Sequence, residues 1–151
     1  MGKRYAILGG GGSFGIHSAL YLLDHADPEL VIGIGRNLLR PEPFSLNIEK
    51  RPRYEYHAYH VTYELDLLLE LLDRKKPQVI VNFAAQGEGA VSWKHSWRFF
   101  ETNSMALARL SEELQSKKRA HSVSGWYLIS ARKACLLEHG LQRNPRQVRH
   151  E

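Results

Sequence analysis

The 151-residue chain has a single cysteine, Cys135, so no disulfide can form within it. Its stability must come from a packed core, which a chain of this length can bury. The cysteine count fits a reducing, cytoplasmic setting. No apolar run approaches the ~20 residues of a membrane span. Lys3 and Arg4 lead into a short apolar run and a glycine cluster, not into the apolar core and cleavage site of a signal peptide. No membrane is expected among its partners. The eight histidines include no His-x-x-x-His pair, and there is no second cysteine, so no metal site is expected.

Acidic excess is also missing, but unevenly. The net charge is +5, yet residues 117–151 carry eight Lys/Arg against two Glu, while residues 1–116 are close to balanced. The basic character belongs to the last 35 residues. Such a stretch could serve as a nucleic-acid arm. A solvated, poorly ordered tail over 131–151 is the simpler expectation, and nucleic acid is not expected as the main partner.

What the chain does have is a junction near its start. Tyr5-Ala6-Ile7-Leu8 runs into Gly9-Gly10-Gly11-Gly12-Ser13-Phe14-Gly15, and a helical pattern follows. The glycines at 9, 12 and 15 each suit a different need. Gly9 suits a tight turn off the strand, Gly12 a close approach by pyrophosphate, and Gly15 tight helix–strand packing. The free N–H groups at the helix start favour a phosphate.

Strands are expected at 4–8, 30–34, 54–59, 78–83 and 125–130, and helices at 14–25, 64–75 and 97–116. Continuous apolar runs such as Val79-Ile80-Val81 suit strands covered on both faces. Alternation of this kind predicts an α/β domain over 1–130, with a doubly wound parallel sheet of about five strands in the order 3-2-1-4-5. Residues 36–53, with Pro41, Pro43 and Pro52, read as a long loop. Ligands of such sheets bind beyond the strands' carboxyl ends. There the second strand meets Gly35-Arg36, where an acid would hold the ribose of NAD. A guanidinium suits a 2′-phosphate, which favours NADP over NAD. His60 and Val61 end the third strand, and Ala84 and Ala85 follow the fourth. An asparagine at 103, on a helix, is expected to bond backbone.

These elements together resemble the N-terminal part of an extended short-chain dehydrogenase/reductase of the nucleotide-sugar epimerase and 4,6-dehydratase kind. The family's Thr-Gly-Gly-x-Gly-x-x-Gly stands here as Leu8 to Gly15 and its Asp-Ile-x-Asp as His60-Val61-Thr62-Tyr63. Its Asn-Leu-Ala-Ala-Gln, best known from the GDP-mannose 4,6-dehydratase group, stands as Asn82-Phe83-Ala84-Ala85-Gln86, and its Thr-Asn as Thr102-Asn103. The resemblance covers about residues 4–116 and implies a Rossmann-type NAD(P)-binding fold. It assigns Gly9, Gly12, Ser13, Phe14 and Gly15 to the pyrophosphate and Arg36 to the adenosine ribose. It places His60 and Val61 at the adenine, and Ala84 and Ala85 along the cofactor. It implies a nucleotide sugar as substrate and admits a homodimer.

Departures from the family pattern lie in the chemistry. Gly35, His60 and Tyr63 stand where acids are usual, and after the fifth strand Ser130 is followed by Ala131 instead of a second hydroxyl residue. None of the seven tyrosines has Lys four residues later, so the family's catalytic Tyr-x-x-x-Lys is not found and no catalytic residue is assigned. The expectation is a truncated, frame-altered or diverged short relative whose active site would lie beyond Glu151. A non-catalytic dinucleotide sensor and a nucleic-acid binder are the alternative readings.

Overall fold

The computed structural model describes residues 2–87, 89–116 and 125–128. The tail at 131–151, Ser130 and Ala131 lie outside the described residues. Five parallel strands form one sheet: β1 (Arg4–Leu8), β2 (Leu30–Gly35), β3 (Tyr54–Ala58), β4 (Val79–Asn82) and β5 (Gly125–Leu128). Their order is β3-β2-β1-β4-β5, as the alternating pattern predicts.

Side chains alternate across β1, and this builds two cores. Ala6 and Leu8 face one way with Ile32, Ile34 and Ile80. Against them pack α2 (Leu65–Lys75), through Leu68 and Leu72, and the late helix that contains Leu110 and Leu114. Ile7 and Val31 face the other way, onto Ile16, Ala19 and Leu23 of α1 (Ser13–His25). Covering on both faces is why β1 and β2 read as unbroken apolar runs.

Residues 36–53 form the long loop expected, while the helix expected at 97–116 is changed. The loop carries little regular structure but is tied down. Ile48 is fully buried in the α1-side core, Arg51 pairs with Asp24 of α1, and Arg53 pairs with Asp27 just after it. The expected helix at 97–116 is preceded by α3 (Gly89–Lys94) and is itself interrupted. It runs as α4 (Ser96–Phe100), a π-helical turn (Glu101–Met105) and α5 (Ala106–Gln115). The wider turn alters which side chains face the sheet, and its effect shows at the end of β4.

Candidate cofactor site

The glycine loop is built by close contacts. Gly9 turns the chain with φ of +78°, and a Cβ there would lie 2.7 Å from the Ala84 nitrogen. Only glycine meets both demands without strain. The N–H of Gly10 donates to the Ile34 carbonyl at 2.9 Å, and that of Gly12 donates to the Gly9 carbonyl at 3.0 Å. At Gly15 an added Cβ would collide with the Gly9 carbonyl oxygen and lie 2.7 Å from the Gly10 Cα, so α1 sits directly on the loop. Gly12 differs. It is exposed, its backbone is extended (φ −87°), and a Cβ there would meet only the Gly9 oxygen, at 3.3 Å. Its open side is available to a ligand.

No side chain caps α1, and its first turn carries no acid. The first intrahelical bond runs from the Ile16 N–H to the Gly12 carbonyl at 2.9 Å. The N–H groups of Ser13, Phe14 and Gly15 therefore precede any helical acceptor. Free N–H groups at a helix start, with the dipole, favour anions.

Beyond the carboxyl ends of β1 to β4 lies a cavity of about 390 Å³. Of the ten residues assigned from sequence, Gly9, Gly12, Arg36, His60, Val61, Ala84 and Ala85 line it. Ser13, Phe14 and Gly15 do not. Gly15 is buried under the loop, and Phe14 is exposed and stacks on Phe83 with 6.3 Å between ring centroids. Arg36 and a second arginine, Arg40, both line the cavity. Neither forms an ion pair among the described residues. No described carboxylate lines the cavity. The electrostatic balance there is positive, as a phosphate ligand requires.

Three residues shape the cavity walls, and the first of them the sequence did not single out. Tyr56, on β3, passes beneath the loop, where a Cβ on Gly11 or on Gly35 would meet its hydroxyl at 2.5 Å. That hydroxyl donates to the Asn37 carbonyl at 2.7 Å and holds the turn that carries Arg36. Burial pushes the phenol's pKa up, so it keeps its proton. Tyr56→Phe is expected to cost about 1 kcal/mol and to lower Tm by roughly 2–4 °C, which a thermal melt measures. A melt unchanged from the parent would leave Asn37 held by other contacts.

The other two, Asn103 and Asn82, stand in the motifs quoted above and form a clamp at β4. The amide of Asn103, within the π turn, accepts from the Gln86 N–H at 2.7 Å and donates to the Gln86 carbonyl at 3.0 Å. Asn103 thus bonds backbone, as the sequence suggested. Asn82 ends β4 by accepting from the Ala84 N–H at 3.0 Å. Ala84, Ala85 and Gln86 are fixed along the cavity wall between these two side chains. The partners are 17 residues apart or hidden in a turn, which is why periodicity gives no sign of them.

The stretch Gly11 to Gly15 also spells Gly-x-Ser-x-Gly at a strand–helix turn, the pattern of a hydrolase nucleophile. Its neighbour His17 bonds the Ser13 carbonyl oxygen through Nδ1, at 2.8 Å, and not the hydroxyl. His17 is therefore not bonded to the hydroxyl as a base for such chemistry would be.

The order 3-2-1-4-5, with a glycine turn between β1 and α1, defines a Rossmann-type α/β domain. Its family follows from comparison with known proteins: the profile described as GDP-mannose 4,6 dehydratase matches residues 6–130, and the chain belongs to that family. No curated protein sequence matches it. Among solved structures it is similar to the UDP-Glc/GlcNAc 4-epimerase of Campylobacter jejuni, at 18% identity and TM-score 0.70, over 84% of this chain and 36% of that one. It is similar to the dTDP-glucose 4,6-dehydratase of Bacillus anthracis, solved with NAD, at 22% identity and TM-score 0.64, over 85% and 36%. A third is the UDP-glucuronic acid 4-epimerase of Bacillus cereus, solved with UDP-glucuronic acid and NAD, at 22% identity and TM-score 0.67, over 84% and 40%. At these identities the likeness shows the fold. The chain spans a little over a third of the length of these structures.

Proposed function

We propose that the chain is the dinucleotide-binding part of a nucleotide-sugar epimerase or dehydratase, and that it binds NADP in preference to NAD. One observation carries this reading: the glycine loop, two arginines that form no ion pair among the described residues, and the ends of β3 and β4 converge on one cavity. The residues fit the cofactor. The N–H groups at the start of α1 and the open face of Gly12 suit a pyrophosphate, and Arg36 suits a 2′-phosphate. His60 and Val61 border the base, and Ala84 and Ala85 leave room along the cofactor's length. When bound, the dinucleotide supplies a hydride acceptor and donor, while the protein orients it. A cytoplasmic location and a nucleotide-sugar partner belong to the same reading.

Titration of NADPH into the purified chain, followed by fluorescence and melting temperature, tests it. A ligand at 100 times its Kd should stabilise by about 2.7 kcal/mol. Gly12→Val is expected to fold, because the backbone there is extended and a Cβ would meet only the Gly9 carbonyl oxygen, at 3.3 Å. It should bind at least about tenfold more weakly, a loss of ~1.4 kcal/mol. Equal binding by parent and variant would remove the loop from the site.

The same 151 residues are not expected to turn over a nucleotide sugar. None of their seven tyrosines has Lys four positions later. A placed acid/base is typically worth about 10²–10⁴-fold in rate. Mass spectrometry of GDP-mannose, UDP-glucose and dTDP-glucose incubated with chain and cofactor checks this. Multiple turnover, abolished by Gly12→Val, would reveal a catalytic group elsewhere in the chain.

A further inference from the structure

The turn after β3 fixes one side chain of the cavity in a defined hydrogen-bonding state. The His60 N–H donates to a carboxylate oxygen of Glu64 at 2.6 Å, and the Glu64 N–H donates back to the His60 carbonyl at 2.9 Å. Within that closed turn the Thr62 N–H donates to His60 Nδ1 at 3.2 Å. A ring nitrogen that accepts carries no proton, so in the neutral imidazole the proton sits on Nε2. The ring lies tilted against Tyr63, with centroids 4.5 Å apart, which holds its plane. His60 lines the cavity, and its Nε2–H has no hydrogen-bond partner among the described residues. Glu64 accepts the His60 N–H through one oxygen and does not line the cavity, and neither does any other described Asp or Glu.

We propose that the base end of this cavity reads its nucleobase through a side-chain donor, the His60 Nε2–H, and therefore does not select a 6-aminopurine over a 6-oxopurine. The inference rests on the dinucleotide reading above and specifies the base. An exocyclic amino group is a donor and needs an acceptor. A 6-oxo group is an acceptor and pairs with Nε2–H. Adenine offers this donor only its ring nitrogens, whereas hypoxanthine offers its ring nitrogens and the oxygen as well. A buried polar group facing another of the same kind is left unpaired, and that mismatch is what discriminates between bases.

The test is calorimetric titration of the purified chain with oxidised NADP and with its hypoxanthine analogue, nicotinamide hypoxanthine dinucleotide phosphate. The parent is expected to bind the hypoxanthine form at least as tightly as the adenine form. His60→Asp, which replaces the donor by an acceptor, should shift the ratio of affinities toward adenine by roughly tenfold, the value of about one hydrogen bond. Circular dichroism establishes that the variant folds, and if it does not, the parent's own ratio decides. A parent that prefers adenine by about tenfold or more would overturn the inference and leave the dinucleotide reading intact. A parent that binds neither form would overturn both.

Discussion

Gly15→Val is expected to destabilise the chain by about 3 kcal/mol or more, and to lower Tm by roughly 6–12 °C. The reason is where the new atoms would go. A Cβ at 15 meets backbone on the opposite side of the loop, with the Gly10 Cα at 2.7 Å and the Gly9 carbonyl oxygen closer still. Backbone cannot rotate away as a long side chain can. Either α1 lifts from β1 or the loop opens. Lifting α1 would pull Ile16, Ala19 and Leu23 off Ile7 and Val31, and would expose apolar surface worth about 25 cal/mol per Å². Cofactor affinity should fall with the fold. A melt separates this variant from Gly12→Val, which changes only an exposed N-cap and should lower Tm far less, by about 2–4 °C, while losing binding. Equal melting temperatures for Gly15→Val and the parent would mean that α1 does not sit on the loop as described.

Arg36→Ala is expected to weaken NADPH by about ten- to hundredfold, the worth of a charge-assisted hydrogen bond, and to leave NADH within about threefold of the parent, a difference of ~0.65 kcal/mol. Arg36 is exposed, lines the cavity and forms no ion pair among the described residues, so its removal orphans no buried partner. Tm without ligand should therefore hold. Gly35 beside it adds no side chain and no charge, and the carboxylate that would repel a 2′-phosphate is absent from this turn. Calorimetry with the two reduced cofactors measures the split. Equal losses for both would detach Arg36 from the 2′-phosphate, and tighter NADH binding by the parent would reverse the preference.

Sheet order and the first βα unit were legible because they rest on local signals. A β-prone run, glycines at 9, 12 and 15, and a leucine-bearing helix leave few alternatives once crossovers are right-handed. The cavity was legible in outline for the same reason, since strand ends in such a sheet are where ligands lie. Tyr56 was not. The stretch Tyr54-Glu55-Tyr56-His57 shows a strand, yet nothing in it says that one phenol ends on the Asn37 carbonyl beneath a glycine loop. The Asn103–Gln86 clamp depends on a π-helical turn, which a 3.6-residue period cannot predict. Residues 36–53 read as a plain loop because their anchors, Ile48 and two arginine–aspartate pairs, are tertiary. What the sequence conveys poorly here is long-range bonding to backbone.

Titration of NADPH into isotope-labelled protein, followed by amide chemical shifts in two-dimensional NMR, tests the central claim most directly. The account predicts saturable shifts that cluster at Gly9 to Gly15, Arg36 and Asn37, His60 and Val61, and Ala84 to Gln86, with the amides of α2 little changed. Shifts spread elsewhere, or none at millimolar cofactor, would contradict it.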